Sequence, residues 1–221
     1  MISKDGAGET RIYVFIAVFI IAVVIFAVVF SSNQLNTAYI HHDFLGLDWC
    51  EDIGERDSGS QLLGLDKFSS LTYKIDGNYP AYITIITIKT LVMMSEKELR
   101  DKTVESIEQA LEKGIFVDKS TEISGGRMLK NEHNTMYVMY DVNDTSKNPH
   151  EKIKIIGEVW NCGASDTSVI CIGVAQITDN LHDNSELNFS QWEKIVRDEV
   201  GTFGTGNFQA KDGLIYNVIC H

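Results

Sequence analysis

The chain has 221 residues, a formal net charge of −12 and 44% hydrophobic residues, with two prolines and four cysteines. Collagen-like, proline-rich and low-complexity classes are excluded, and 23% charged residues suits a folded protein. A chain this acidic lacks the clustered Lys and Arg that grip phosphate backbones, so no nucleic-acid partner is expected.

Residues 1–11 carry Lys4, Arg11, Asp5 and Glu9, whose charges cancel. Ile12 to Phe30 follow as nineteen residues without charge, Gly or Pro. At about 1.5 Å per residue a helix of this length spans roughly the hydrocarbon core of a bilayer. The run therefore predicts a transmembrane helix over 12–30, the competing reading being a cleaved signal peptide ending near Val29-Phe30-Ser31. Lys4 and Arg11 precede the run, and the next basic residue is Arg56. The positive-inside rule then places 1–11 in the cytoplasm and 31–221 outside, as a single-pass protein of the cell membrane. All four cysteines (Cys50, Cys162, Cys171 and Cys220) fall on the outer side, where disulfides persist.

Residues 31–69 hold seven carboxylates against Arg56 and Lys67, with four interspersed glycines. No period of 2 or 3.6 runs through them, which predicts an acidic stalk or wrapping segment. Tyr39, Phe44, Leu45, Leu47 and Trp49 argue that part of it packs on the folded domain, 70–221. Tyr82 to Ile88 is a β-branched run that predicts a central strand. Ser95-Glu96-Lys97-Glu98 is a capping-box pattern at the start of a helix that carries Leu99, Ile107, Ala110 and Leu111 on one face and ends at Gly114. Strand-like runs follow over 115–124, 135–143, 152–162 and 168–178, with Gly125-Gly126 as punctuation. A second capping-box pattern, Ser190 to Glu193, opens a helix ending at Gly201, and Leu214 to Cys220 reads as a last strand.

A hairpin centred on the turn-like stretch 163–168 would pair residues whose numbers sum to about 333, setting Cys162 opposite Cys171. Opposed positions lie within disulfide reach, which predicts Cys162–Cys171 and leaves Cys50–Cys220 as the second bond. The competing reading for these cysteines is a metal site, but the Cys162/Cys171 pair lacks the C-x₂₋₄-C spacing of zinc modules. One face of this hairpin (Ile153, Ile155, Val159, Ile172, Val174) is core. The other mixes Lys154, Glu158 and Trp160 with Gly173, Ala175 and Ile177, small enough in places for a helix or the stalk to approach. The element order ββ-α-ββββ-α-β predicts an α+β fold: an N-terminal transmembrane helix, then an antiparallel β-sheet domain with two flanking helices.

From Tyr82 to Cys220 the layout resembles the PsbP/Mog1-like α/β/α sandwich. The likeness rests on the opening strand, the capped helix, Gly125-Gly126-Arg127, Met136-Tyr137-Val138-Met139-Tyr140, the long hairpin, the helix with Trp192 and Ile195, and Phe203. It implies non-enzymatic accessory subunits, assembly factors or partner-binding modules, and transfers no functional residue.

No G-x-S-x-G, H-E-x-x-H or C-x-x-C occurs. Gly204-Thr205-Gly206 lacks the third Gly of a dinucleotide fingerprint. Asp141 to Ser146 starts like a calcium loop, but Ser146 replaces the required Gly and Lys152 the bidentate Glu. His41-His42-Asp43 suits Cu, Ni or Zn, yet adjacent histidines are commonly plain surface residues, and Cys220-His221 likewise reads as a disulfide cysteine followed by a tail. Asn143-Asp144-Thr145 and Asn188-Phe189-Ser190 are glycosylation sequons, naming Asn143 and Asn188 as acceptors. The expected function is a membrane-anchored, extracytoplasmic, non-enzymatic binding or accessory module, docked to a protein partner and to the membrane through 12–30, with no cofactor or metal. Two alternatives stand beside it: a metal-handling surface protein using His41 and His42, and an enzyme assembled in three dimensions from Glu158 with Trp160 or His133.

Overall fold

β-Branched runs form the middle of a wide antiparallel sheet. A computed structural model describes residues 35–61, 66–90, 92–111, 116–117, 121–144, 151–178, 187–197 and 212–221, which belong to one compact unit, Leu35–His221. In chain order these are β1 (Tyr39–Ile40), α1 (His42–Leu45), β2 (Cys50–Glu51), a 3-10 turn (Ile53–Glu55), β3 (Asp57–Gln61), β4 (Asp66–Ile75) and β5 (Ala81–Lys89). Then come α2 (Glu96–Leu111), β6 (Phe116–Val117), β7 (Ile123–Met128), β8 (Asn134–Asp144), β9 (Glu151–Cys162) and β10 (Thr167–Gln176). The chain closes with α3 (Ser190–Val196), a second 3-10 turn (Ile215–Asn217) and β11 (Val218–Ile219).

The main sheet runs β2-β4-β5-β10-β9-β8-β6, with β3 also on β4 and β7 also on β8, while β1 and β11 form a separate two-stranded ribbon. The alternation along β5 buries Ala81, Ile83 and Ile85 on one face, as a period of 2 requires. That face meets Trp160, Cys171 and Ala175 from the hairpin, Trp192 and Ile195 from α3, and Ala38, Ile40 and Trp49 from the first described segment. On the opposite face α2 covers β8 and β9. Ser95 Oγ accepts from the Glu98 backbone N–H at 3.2 Å and so caps this helix. Gly157 makes the close approach possible, because a Cβ there would lie 2.5 Å from Thr103 Cγ2 and 3.1 Å from Ile107 Cδ1.

The expected fold is corrected by this architecture. The domain is mostly β-sheet with three α-helices among the described residues, rather than ββ-α-ββββ-α-β with two. The difference arises mainly in 31–69, where Asp57–Gln61 (DSGSQ) pairs along β4 as an edge strand. Edge strands facing water need no apolar alternation, so the sequence carried no period there. Gly125 and Gly126 lie inside β7 rather than between strands, and the Tyr137 ring crosses Gly125 where a Cβ would meet its hydroxyl at 2.5 Å. The second capping box does not form. Phe189, not a Ser, caps α3 without a side-chain bond, and Arg197 ends it in the left-handed region at φ 61.

The membrane reading is corrected as well. Among the described residues no helix is long and apolar enough to cross a membrane. The longest, α2, carries Glu96, Lys97, Glu98, Arg100, Asp101 and Lys102 in its first two turns. The single-pass topology and the cell-membrane, extracytoplasmic placement are therefore withdrawn; the run 12–30 that prompted them lies outside the described residues.

Both expected disulfides are absent, and all four cysteines are free thiols. The hairpin turns over four residues, Gly163 to Asp166, with Asp166 at φ 55, so pairing begins at Thr167↔Cys162. Thr167, assigned to the turn from sequence, is a strand residue, and so is Ser168, where the turn-like stretch and the strand-like run overlapped; Ser168 Oγ donates to Asn161 Oδ1 at 2.7 Å. Cys171 consequently sits opposite Glu158. The slip is an even number of residues, so both cysteines stay on the face predicted for them but move apart along it. Cys50 is exposed on β2, its sulfur 3.9 Å from the Lys74 carbonyl oxygen, while Cys220 is buried.

Candidate metal centre

Three segments meet at the turn end of the β9–β10 hairpin. Cys162 is the last residue of β9, and Cys220 and His221 directly follow β11. His133 lies in the β7–β8 turn, a tight reversal in which Leu129 N–H donates to the His133 carbonyl at 2.9 Å and Glu132 takes φ 65. The turn is tied to the closing segment by Lys130 N–H to the Tyr216 carbonyl at 3.3 Å and Asn131 Nδ2 to the Val218 carbonyl at 3.3 Å. β11 itself is held in register by β1, through Tyr39↔Ile219 and Ile40↔Val218.

These contacts gather two thiols and two imidazoles. Cys162 Sγ lies 3.3 Å from His221 Nδ1, and Cys220 Sγ lies 3.2 Å from His133 Nε2 and 3.7 Å from His221 Nδ1. All four donor atoms fall within 4.8 Å of one another. Tetrahedral zinc with Zn–S of about 2.3 Å and Zn–N of about 2.0–2.1 Å has S···N edges of roughly 3.6 Å. The observed separations bracket that value. Two sulfurs and two imidazole nitrogens are also the donor set that borderline-soft Zn²⁺ takes in closed sites.

The surroundings act on the four donors unequally. Cys162 and Cys220 are buried, and His221 faces solvent. Burial, then the neighbouring Cys162, push the Cys220 thiol up to about 12, whereas the Trp160 indole acts in the opposite sense. Trp160 is fully buried and its Nε1 has no hydrogen-bond partner. Asn131 Nδ2 also approaches Cys220 Sγ, at 3.7 Å, while Asn131 Oδ1 accepts from the His133 backbone N–H at 3.4 Å. Burial followed by repulsion from His221 lowers the His133 pKa, which keeps the ring neutral and its lone pair available. A donor beside a sulfur that water cannot reach is what an outer-shell partner supplies to a bound thiolate. A divalent cation here would deprotonate the Cys220 thiol that burial otherwise holds protonated.

Other residues singled out in the sequence are placed differently. His41, His42 and Asp43 also bring three donors within 4.8 Å, with His41 Nδ1 and His42 Nε2 at 3.2 and 2.9 Å from the Asp43 carboxylate. They are consecutive residues at the start of the four-residue α1, in contact with water, so no second segment or buried wall orients them. Glu158 does not join His133. Its carboxylate is buried beneath the sheet face, accepting from Arg127 Nε at 2.8 Å, Arg127 Nη2 at 2.6 Å and Thr135 Oγ1 at 2.6 Å. Burial opposes the Arg127 charge, but Glu158 more than offsets it and the guanidinium pKa is raised. With both oxygens committed, Glu158 is a structural ion pair rather than an acid or base. Asn143 is exposed on β8, and Asn188 is half-buried with its Oδ1 accepting from the Ser190 N–H at 2.9 Å.

No family model, curated protein or solved structure matches the chain. The PsbP/Mog1-like resemblance is therefore neither supported nor opposed by any match.

Sequence reasoning named Cys162, Cys220 and His133 but never together, and set His221 aside as a residue following a disulfide. Cys162 and Cys220 are separated by 58 positions and His133 by 87 from Cys220, so no C-x₂₋₄-C spacing announced them. The only available hint was the number of sulfur and imidazole side chains in the second half of the chain.

Proposed function

We propose that this protein is a non-enzymatic metal-binding module, in which Cys162, Cys220, His133 and His221 hold one zinc-class cation. The convergence of four soft and borderline donors within 4.8 Å carries this reading. Four protein ligands complete a tetrahedron and leave no position for substrate or water, which is the pattern of structural rather than catalytic zinc. The cation would clasp the closing segment and the β7–β8 turn to the end of β9. Beyond the centre, a surface hollow lined by Asp43, Glu193, Lys194, Arg197, Asp212 and Asn217 has neither Cys nor His in its lining. Its charges are partly engaged, with Arg197 Nη1 at 3.3 Å from Glu193 Oε1 and Asn217 Nδ2 donating to Asp212 Oδ1 at 3.3 Å. This favours a binding protein over a hydrolytic or transfer enzyme.

The test is elemental analysis of the full chain after loading with zinc and dialysis. About one equivalent of zinc per chain is expected, falling to background in Cys162→Ser and Cys220→Ser and unchanged in a His41→Ala/His42→Ala variant. Equal zinc in the wild type and the two cysteine variants contradicts the reading, and loss only in the His41/His42 variant would move the metal to α1.

A further inference from the structure

We propose that the centre is gated by oxidation: a hydroperoxide converts Cys162 and Cys220 into a disulfide and expels the cation. This rests on the metal-binding reading and adds its regulation.

Cys162 and Cys220 supply both sulfurs of the cluster and lie within 4.8 Å of each other, although they come from segments 58 positions apart. Each has one candidate partner. Cys171 is fully buried on β10 opposite Glu158, and burial together with the Glu158 charge holds its thiol far above the usual range, so it is a poor nucleophile. Cys50 is exposed on β2, at the β4 edge of the sheet. Thiolate is the reactive form of cysteine, and a bound divalent cation maintains it.

His221 is the one exposed donor of the four. Cys162 and Cys220 are 0% and 1% exposed, whereas His221 is exposed and touches both sulfurs, at 3.3 and 3.7 Å. Movement of this one ligand opens the sulfurs to a small oxidant without disturbing His133, which the β7–β8 turn anchors through its backbone. The reaction balances as follows. One thiolate attacks the outer peroxide oxygen, breaking the O–O bond and giving a sulfenic acid and an alcohol or water. The second thiolate displaces hydroxide from that sulfenic sulfur to form the S–S bond. Two electrons pass from the two sulfurs to the peroxide, two protons are consumed, and Zn²⁺ leaves because a disulfide is not a thiolate ligand. A dithiol reductant reverses the change and restores the site.

The experiment treats the zinc-loaded full chain carrying Cys50→Ser with hydrogen peroxide, while a chromogenic chelator reports free zinc and peptide mapping reports sulfur chemistry. Release of about one zinc for each Cys162–Cys220 disulfide is expected, with Cys171 still a thiol, and rebinding after reduction. Zinc retained while peroxide is consumed, or zinc lost with sulfinic acids and no Cys162–Cys220 bond, overturns the gating and leaves the metal site standing. A chain that holds no zinc before oxidant is added overturns both.

Discussion

Stripping the cation with a chelator should lower the melting temperature of the full chain by about 8–16 °C. The size follows from linkage: a ligand present at about a thousand times its Kd stabilises the native state by about 4 kcal/mol. A domain of this length shifts by about 2–4 °C for each kcal/mol. The expected shift is the linkage contribution alone, because Leu129, Cys162, Val218 and Cys220 share the main hydrophobic cluster and hold the three ligand-bearing segments together without a cation. β11 is two residues long and pairs only with the two-residue β1, and the closing segment meets the β7–β8 turn through a few hydrogen bonds near 3.3 Å. Differential scanning calorimetry with and without chelator, repeated on Cys220→Ser, is the check. The variant should melt near the stripped wild type and ignore the chelator. An identical shift in both would assign the effect to something other than this centre.

Glu158→Gln should destabilise the fold by about 3–5 kcal/mol, the usual cost of leaving one member of a buried ion pair without its counter-charge. Arg127 and Glu158 are 3% and 0% exposed at their side chains, and the two nitrogen–oxygen contacts of 2.8 and 2.6 Å form a bidentate fork. Solvent cannot screen what remains. A glutamine keeps the shape and one acceptor but leaves the guanidinium charge buried between β7 and β9. Replacing the pair together, with Arg127→Met and Glu158→Leu, should recover much of the loss, because two apolar side chains need neither partner. Urea unfolding midpoints of the two single variants and the double variant decide the matter. A double variant no more stable than either single one would mean that packing around these positions, not charge, sets the cost.

The sheet was legible in the sequence where both the period and the residue type agreed. Tyr82 to Ile88 lies within β5 because β-branched side chains suit a pleated, half-buried surface, and Ser95 caps α2 because its hydroxyl satisfies an amide at the helix start. The faces of the β9–β10 hairpin were legible too, since only an odd slip would invert them. Its register was not. Polar Thr167 and Ser168 look like turn residues, yet they pair in the strand, where Thr167 Oγ1 meets Ser165 Oγ at 2.6 Å and Ser168 Oγ bonds Asn161. That misplacement of the turn is what joined Cys162 to Cys171 on paper. The acidic, glycine-containing 50–61 stretch hid two edge strands for a related reason, as edges are specified by pairing to β4 and not by apolar spacing.

The Cys–His cluster proposed to hold the cation was the least legible part. Its ligands come from a turn, a strand end and the residues after a two-residue strand, and only the tertiary fold brings these within 4.8 Å. His41-His42 attracted attention by adjacency, but neighbouring residues on a short exposed helix are not oriented by anything else. Cys162 and His133, far apart along the chain, are.

Titrating the full chain with Co²⁺ and recording its visible spectrum tests the central claim most directly, because cobalt reports the ligand set and the geometry at once. The account predicts intense tetrahedral d–d bands and a sulfur-to-cobalt charge-transfer band, saturating near about one equivalent, erased by zinc and missing in Cys162→Ser. A weak octahedral spectrum, or bands that persist in Cys162→Ser and Cys220→Ser, would contradict it.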